Sequence, residues 1–238
     1  MSDRLYFRQL LAGRDFARGV RGAADMRNFV YLIGDREAGE CVAVDPAWDV
    51  QGLVDLVEQD GLRLVGALAT HYHPDHVGGD LMGFTQVEGV RELLAACPVP
   101  VHCHREETPW IRRSLGLEGS DLTACESGDV VRVGAVEIRL MHTPGHTPGS
   151  QCFLVGNRLV AGDTLFLDGC GRTDFPGGDS AQLYRPLPQR LATLPDDTVL
   201  YPGHLYSPEP SATLGETRRR NYVFRMRSLD DWRRFHGR

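Results

Sequence analysis

Apolar stretches that end in histidine or aspartate recur along this chain of 238 residues. Four such ends stand out, at His71, at 142–146, at Asp163 and at His204. Aliphatic and β-branched runs of this kind predict buried strands. Side chains at strand ends lie on loops that a rigid sheet positions, and binding or catalytic residues concentrate on such loops. The pattern therefore predicts a sheet-based fold whose loops assemble one polar site.

The first part of the chain predicts two strands, a helix and a third strand. The runs NFVYLIGD, from Asn28, and ECVAVDPA, from Glu40, predict a hairpin. Asp49 is placed to cap a helix whose apolar residues recur at helical spacing. LRLVGALAT then predicts a buried strand that delivers Thr70 and His71 at its carboxyl end. The order of the last three elements indicates a βαβ unit.

The rest of the chain mixes short helices and strands. GVRELLAAC predicts a helix, VPVHC a short strand, and TPWIRRSLGL a helix with Thr108 as cap and Pro109 at its first position. Two strands are expected around Gly134, and a hairpin with a GN turn in QCFLVGNRLVAGD. SAQLYRPLPQRLATL predicts a helix interrupted by Pro186 and Pro188, and TVLYPGH a last strand.

The composition is that of a folded, water-soluble protein, with 42% hydrophobic and 24% charged residues. Neither a repeat nor a linker divides the chain, so we expect one domain over 1–238. The net charge of -6 gives no basic surface for nucleic acid or an anionic membrane. We interpret the run RRR at 218–220 as a solvated helix face. No stretch approaches the roughly 18 apolar residues of a membrane span.

The start of the chain, MSDRLYFRQLLAGRDF, has scattered charges and no apolar region before a cleavage site, so we expect a cytoplasmic protein. The 6 cysteines are dispersed without a C-x-x-C pair, and reduced thiols are expected. The sequence leaves the choice between a monomer and a homodimer open.

The stretch THYHPDHVGGD places His71, His73, Asp75 and His76 within six positions. Burying such groups without partners would cost several kcal/mol each. Imidazoles and carboxylates suit zinc, iron and manganese. One metal does not easily accept all four ligands from so short a segment, which indicates two metals side by side. Further ligands are expected from the other strand ends, namely His146 in TPGHTPGS, Asp163 in AGDTLF and His204 in YPGH.

These motifs resemble those of the metallo-β-lactamase superfamily, and within it the glyoxalase II (hydroxyacylglutathione hydrolase) and persulfide dioxygenase branch. VDPA, THYHPDHVGG, TPGHTPGS, AGDTLFLDGCGRTDF and YPGH occur in the family order along most of the chain. The resemblance implies an α/β fold, a four-layer αββα sandwich with metals along one edge of its two sheets.

The resemblance also implies a role for each matching position. One metal would be held by His71, His73 and His146, the second by Asp75, His76 and His204, with Asp163 bridging them and a water between the metals as nucleophile. Asp75 and Asp163 are predicted as catalytic carboxylates. Asp45, in VDPA, would orient a ligand histidine. Arg172 and Tyr206 are predicted to contact the substrate.

Two reactions are compatible with this resemblance. The first is hydrolysis of a small-molecule thioester or ester with two divalent ions, zinc and/or iron, with manganese as an alternative. The second is oxygen-dependent oxidation of glutathione persulfide at one iron held by His71, His146 and Asp163. The element GCGRTDF occurs in both branches and does not discriminate between them. A protein that binds metal without activity is a third hypothesis, which the complete ligand set disfavours.

The chain departs from long glyoxalase II enzymes in two places. Its tail after His204 is too short for the helical domain with which those enzymes hold glutathione. The segment at about 81–123 is predicted as an insertion that covers the pocket in its place.

The run VHCHREE contains His102, Cys103 and His104, which could bind a metal by themselves. On a short strand, His102 and His104 would face one side and Cys103 the other. We therefore favour a structural role or a place at the pocket rim. His142 is expected to be a neighbour of the ligands.

Overall fold

Two six-stranded sheets carry most of the chain in the computed structural model, which describes residues 4–118 and 121–236 without the side chain of Pro188. The predicted domain and the predicted insertion therefore include positions outside the described residues. The first sheet contains, in spatial order, β1 (Leu5–Leu11), β2 (Phe29–Asp35), β3 (Glu40–Val44), β4 (Arg63–Leu68), β7 (Val101–His104) and β8 (Leu122–Cys125). The second contains β14 (Ala212–Thr213), β13 (Val199–Pro202), β12 (Arg158–Gly162), β11 (Gln151–Val155), β10 (Val136–His142) and β9 (Val130–Val133).

Short helices and one small hairpin complete the described ranges. The hairpin pairs β5 (Gly79–Leu81) with β6 (Thr85–Val87). The helices are α1 (Ala23–Met26), α2 (Val50–Gln59), α3 (Pro74–Val77), α4 (Val90–Ala96), α5 (Thr108–Leu115), α6 (Ser180–Tyr184), α7 (Pro186–Gln189), α8 (Leu214–Arg220) and α9 (Leu229–His236). Two 3-10 turns span Leu191–Thr193 and Tyr222–Arg225. None of the helices in these ranges is long and apolar enough to cross a membrane.

Three apolar clusters show how the layers pack. The middle cluster joins side chains of both sheets, such as Phe29 and Ile33 from the first with Ile138 and Phe153 from the second. A second cluster joins the outer face of the first sheet to α2, α4 and α5, and a third joins the outer face of the second sheet to α6–α9. The αββα arrangement is thereby confirmed.

The strand pairings confirm the local predictions. β2 and β3 form the expected antiparallel hairpin, and β3 pairs in parallel with β4 across α2. Asp49 caps α2, since its side chain accepts a hydrogen bond from the Gly52 amide. β9 pairs with β10 around Gly134, and the interrupted helix predicted at 180–194 is present as α6, α7 and a 3-10 turn.

The segment at 81–123 differs from the predicted insertion. β7 and β8 are parallel strands of the first sheet, and Val101 and Cys103 are fully buried there. The strands that pair with VPVHC are distant along the chain, so the sequence alone does not show that this run belongs to the first sheet. Most of the segment is therefore part of the sandwich, and its contact with the site comes from the start of α5.

Two smaller predictions also need correction. α5 begins at Thr108 and not after it, because the Thr108 hydroxyl bonds the His104 carbonyl and leaves the helix end uncapped. In the basic run, Arg219 and Arg220 are exposed, but Arg218 is held by Asp196 and by the carbonyls of 191 and 194. The helix face is thus solvated only in part.

Asp35, at the end of β2, ties the two sheets together. Its buried carboxylate accepts hydrogen bonds from the Ala135 amide of the β9–β10 turn at 2.7 Å and from Arg4 at 2.8 Å. Burial alone would raise the pKa of this carboxyl, but the Ala135 amide and the Arg4 guanidinium outweigh burial and lower the pKa to about 2.

We expect an Asp35→Asn variant to be less stable than the parent at pH 7, because an amide cannot accept the same set of donors. A depressed folded pKa stabilises the fold above the pKa of the unfolded carboxyl, and this stabilisation is lost as the pH falls through about 2. The stability difference between the variant and the parent should therefore shrink between about pH 4 and pH 2. Urea unfolding across this range measures it, with the exposed Glu37→Gln as control. An equal pH dependence for both variants would contradict the assignment.

Candidate metal centre

The seven predicted ligands lie together where strands of both sheets end. β4 ends at Leu68, and the chain then turns into α3, whose first residue is Pro74 and which carries Asp75 and His76. The turn after α3 requires glycine, since Gly78 has a φ of +90° and a Cβ there would lie 2.8 Å from Gly89. The other ligands come from the second sheet: His146 follows β10, Asp163 follows β12 and His204 follows β13.

The first group brings together three ring nitrogens. His71 Nε2 lies 3.1 Å from His73 Nδ1, and His146 Nε2 lies 3.3 Å and 3.0 Å from these two atoms. Metal–nitrogen bonds of about 2.0–2.1 Å place neighbouring ligands roughly 3.3 Å apart. The three imidazoles therefore fit one metal ion.

The second group has the same spacing. His76 Nε2 lies 3.2 Å from His204 Nε2, and Asp75 Oδ2 lies 3.4 Å from each of these nitrogens. All three side chains are buried. This group fits a second metal ion as well as the first group fits one.

Asp163 lies between the two groups. Its Oδ2 is 3.7 Å from His146 Nε2 and 3.4 Å from His204 Nε2, and its Oδ1 is 3.5 Å from His76 Nε2. Asp163 Oδ1 and His73 Nε2 are buried and have no hydrogen-bond partner among the described residues. A bridging metal contact would satisfy the carboxylate oxygen, which is otherwise costly to bury.

Four of the imidazoles are oriented by acceptors on their outer nitrogen. His71 Nδ1 donates to Thr70 Oγ1 at 2.9 Å, and His76 Nδ1 donates to Asp45 Oδ2 at 2.9 Å. His146 Nδ1 donates to the Arg172 carbonyl at 2.6 Å, and His204 Nδ1 donates to the Met26 carbonyl at 2.8 Å. Each Nε2 therefore faces the centre, where a neutral ring offers its lone pair to a metal ion. His73 is the exception, because its Nδ1 faces inward.

Asp45 supports both groups. It accepts hydrogen bonds from the Thr70 amide and hydroxyl, both at 2.7 Å, and from His76 Nδ1. Because the Thr70 hydroxyl donates to Asp45, it must accept from His71. The predicted role for Asp45 named one histidine, and the structure connects it to His76 directly and to His71 through Thr70.

The electrostatics favour cations. Burial and the neighbouring imidazoles lower the pKa of His71, and that of His73 to about 3, so both rings are neutral ligands. Although burial opposes the change, the nearby histidines hold the pKa of Asp75 and of Asp163 well below the usual range. With Asp45, the cluster contains three buried carboxylates, whose negative charge a metal ion offsets.

Asn28 contacts the second group and was missed by the sequence analysis. Its side-chain Nδ2 donates to Asp75 Oδ2 at 2.9 Å. Trp48 Nε1, which can only donate, bonds Asn28 Oδ1 at 3.1 Å and so fixes the orientation of the amide. The run NFVYLIGD predicts only a strand, and nothing in it marks Asn28.

Glu107, just before α5, was missed as well. Its carboxylate is fully buried and accepts hydrogen bonds from the amides of Tyr72 and Gly149. Burial raises the pKa of Glu107 to about 7. No pattern in the sequence marks this residue, because HREE has the composition of an exposed turn.

The two predicted substrate residues lie at the rim of the centre. The Tyr206 ring stacks on His204 with ring centres 4.7 Å apart, and it is 56% exposed. The Arg172 guanidinium is exposed, pairs with Asp174 and lies 4.4 Å from the centre of the Phe175 ring.

The residues of VHCH lie behind the ligand loops. His104 is buried and stacks on His142 with ring centres 3.7 Å apart. His142 Nε2 donates to the Pro148 carbonyl, two residues beyond His146. His102 is half-buried and lies 3.7 Å from the Cys125 sulfur. His142 is thus a neighbour of the ligand loop, as predicted, and contacts none of the ligands in these bonds.

A buried His and Asp cluster at the edge of two sheets, in an αββα sandwich, defines a class of metal-dependent enzymes. Residues 25–204 match the sequence model of the Metallo-beta-lactamase superfamily, and the chain belongs to this superfamily. The predicted resemblance is thereby confirmed. The two clusters fit zinc and/or iron.

Three similar proteins represent both predicted branches. The chain is 36% identical to the mitochondrial persulfide dioxygenase ETHE1 of Homo sapiens over 81% of this chain and 70% of that protein. It is also 36% identical to a hydroxyacylglutathione hydrolase of Nitrosococcus oceani, over 76% of this chain and 63% of that protein. The crystal structure of ETHE1 from Myxococcus xanthus superposes with a TM-score of 0.76 at 30% identity, covering 95% of this chain and 88% of that one.

We expect Asp45→Ala to weaken metal binding by about 10–100-fold, because the variant releases His76 and the Thr70–His71 pair from their fixed orientation. Competition between the metal-free protein and a chromophoric chelator measures the dissociation constant.

Asp49→Ala is the matched control. It removes the cap of α2, at a cost of about 1 kcal/mol in unfolding free energy, without touching a ligand. Equal metal affinity in the Asp45 and Asp49 variants would contradict the role of Asp45.

Proposed function

We propose that this protein hydrolyses a small-molecule thioester or ester with two divalent cations. The observation that carries the proposal is that the second ligand group is as completely supported as the first. His76 has Asp45, Asp75 has Asn28, and His204 has the Met26 carbonyl. If the second group held no metal, there would be no physical reason for each of its three side chains to have a partner that orients it.

When bound, two such cations lower the pKa of a shared water and polarise the carbonyl group that it attacks. The protein contributes their spacing through Asp163, which lies between the groups. Asp75 and Asp163 retain 7% and 9% exposure and His73 is only half-buried, so the centre is open to solvent at these residues. These two carboxylates are our candidates for contact with the reacting water.

Tyr206 and Arg172 would bind the substrate at this opening. Burial and the charges of Asp163 and Asp75 raise the pKa of Tyr206 well above its usual range, so its hydroxyl stays protonated and can donate. The exposed Arg172 guanidinium suits a substrate carboxylate. A carboxylated acyl-thiol conjugate, such as a hydroxyacylglutathione, has the matching chemistry.

Hydrolysis of a hydroxyacylglutathione should proceed without oxygen and require the second group. His76→Ala and His204→Ala should each lower kcat by about 100-fold or more, because the electrostatic stabilisation supplied by one cation is lost. Anaerobic assay of thioester cleavage, with metal content measured for each variant, tests this. Full activity in a His76→Ala protein that holds one metal would contradict the two-metal proposal.

The similarity to persulfide dioxygenases favours a second candidate. The matched part of the human relative and the superposition on the bacterial structure cover more of each chain than the match to the hydrolase does. In this case one iron would be held by His71, His146 and Asp163, a set of two histidines and one carboxylate. The second group would then be dispensable.

Oxygen uptake by iron-loaded protein offered glutathione persulfide separates the two candidates. If the second candidate is correct, uptake is fast, stops in His146→Ala and persists in His76→Ala. Metal-free protein is the control. If the hydrolase proposal is correct, the iron-loaded protein consumes no oxygen above this control.

We expect Arg172→Ala to raise KM by about 10-fold or more, because a charge-assisted hydrogen bond contributes about 1.5–3 kcal/mol. Metal content and kcat should change little, since His146 is held by the backbone carbonyl of residue 172 and not by its side chain. Steady-state kinetics checks this, with the exposed Arg219→Ala as control. An unchanged KM would remove Arg172 from the substrate site.

A further inference from the structure

Glu107 is a fully buried carboxylate between β7 and α5. Its hydrogen-bond partners are the main-chain amides of Tyr72 and Gly149 and the hydroxyl of Thr147. None of these partners is cationic. Burying a charge without a counter-ion is costly, and here hydrogen bonds from two main-chain amides offset that cost. The position of the two amides indicates what this charge does.

Each oxygen of Glu107 holds a different ligand loop. Oε1 accepts from the amide of Tyr72, which lies between the ligands His71 and His73, at 2.9 Å. Oε2 accepts from the amide of Gly149, three residues after His146, at 2.6 Å. One carboxylate thus spans the two loops that carry all three imidazoles of the first group.

The surrounding residues are shaped for this contact. A Cβ at Gly149 would lie 2.5 Å from the Glu107 amide nitrogen, so only glycine allows the loop to approach so closely. On the other side, Trp110 of α5 stacks on Tyr72 with ring centres 5.0 Å apart. The Tyr72 hydroxyl donates to the Pro176 carbonyl. The start of α5 and the preceding Glu107 therefore contact both ligand loops.

We propose that Glu107 is a positioning residue that presets the spacing of the first metal group. Its two oxygens accept from one main-chain amide in each loop, and these hydrogen bonds fix the His71–His73 segment relative to His146 before a metal binds. The ring nitrogens are thereby held at 3.0–3.3 Å, and metal binding needs little rearrangement. This role is the same for hydrolysis and for oxidation, so it does not rest on the proposed reaction.

The test is the metal affinity of Glu107→Gln. A glutamine amide can accept from one loop only and presents a donor to the other. We expect the dissociation constant for the first zinc equivalent to rise by about 10-fold or more, measured by competition with a chelator. The absorption spectrum of the cobalt-substituted protein should change, because it reports the geometry of the ligands. The adjacent, exposed Glu106→Gln is the control and should match the parent protein in both measurements.

Thermal unfolding separates a positioning role from a structural one. A Glu107→Gln protein that unfolds at lower temperature, but retains the parent's zinc affinity and cobalt spectrum, would overturn the proposal. If Glu107→Gln does not fold, Glu107→Asp decides. This variant keeps the charge but is one methylene too short to reach both amides, so weakened zinc binding supports the proposal and parental affinity overturns it. No measurement uses a substrate, so an error in the assigned reaction leaves the outcome unaffected.

Discussion

Four buried imidazoles, the half-buried His73 and two carboxylates share one cleft, and they can hold metal there only when no proton occupies their inward nitrogens. The structure meets this condition from outside the cleft. The acceptors on the outer nitrogens of three of the rings are Asp45 just after β3, the carbonyl of Met26 at the end of α1, and the carbonyl of Arg172 in the loop after β12. These contacts require a fixed position of one sheet relative to the other at this edge. At the far end of β2, Asp35 also joins the two sheets.

Both ligand groups depend on a small number of shared residues. Asp45 reaches His76 directly and His71 through Thr70, so the two groups cannot move independently. Asp163 adds a second connection between them. A scaffold of this kind suits two cations held together. The same ligands would also serve a single iron, which is why the proposed hydrolase and the dioxygenase alternative differ in their need for His76 and His204.

The clustering of the candidate ligands could be predicted from the sequence, and the residues that orient them could not. His71, His146, Asp163 and His204 follow apolar strands, so their clustering follows from the rule that loops at strand ends assemble sites. Main-chain carbonyls such as those of Met26 and Arg172 have no side-chain signature, and Asn28 and Glu107 gain their roles only from tertiary contacts. The same limit explains the wrong insertion at 81–123, because the parallel partners of VPVHC are distant along the chain.

Residue 172 divides its two tasks between main chain and side chain. Its carbonyl fixes the ring of His146, while its guanidinium lies in solvent beside Phe175. Any amino acid other than proline that preserves the local backbone would keep the histidine in place. With the proposed substrate roles of Arg172 and Tyr206, substrate preference could drift at these two exposed positions over many substitutions while the metal chemistry remains intact. Selection on what the enzyme accepts is thus largely uncoupled from selection on how it reacts.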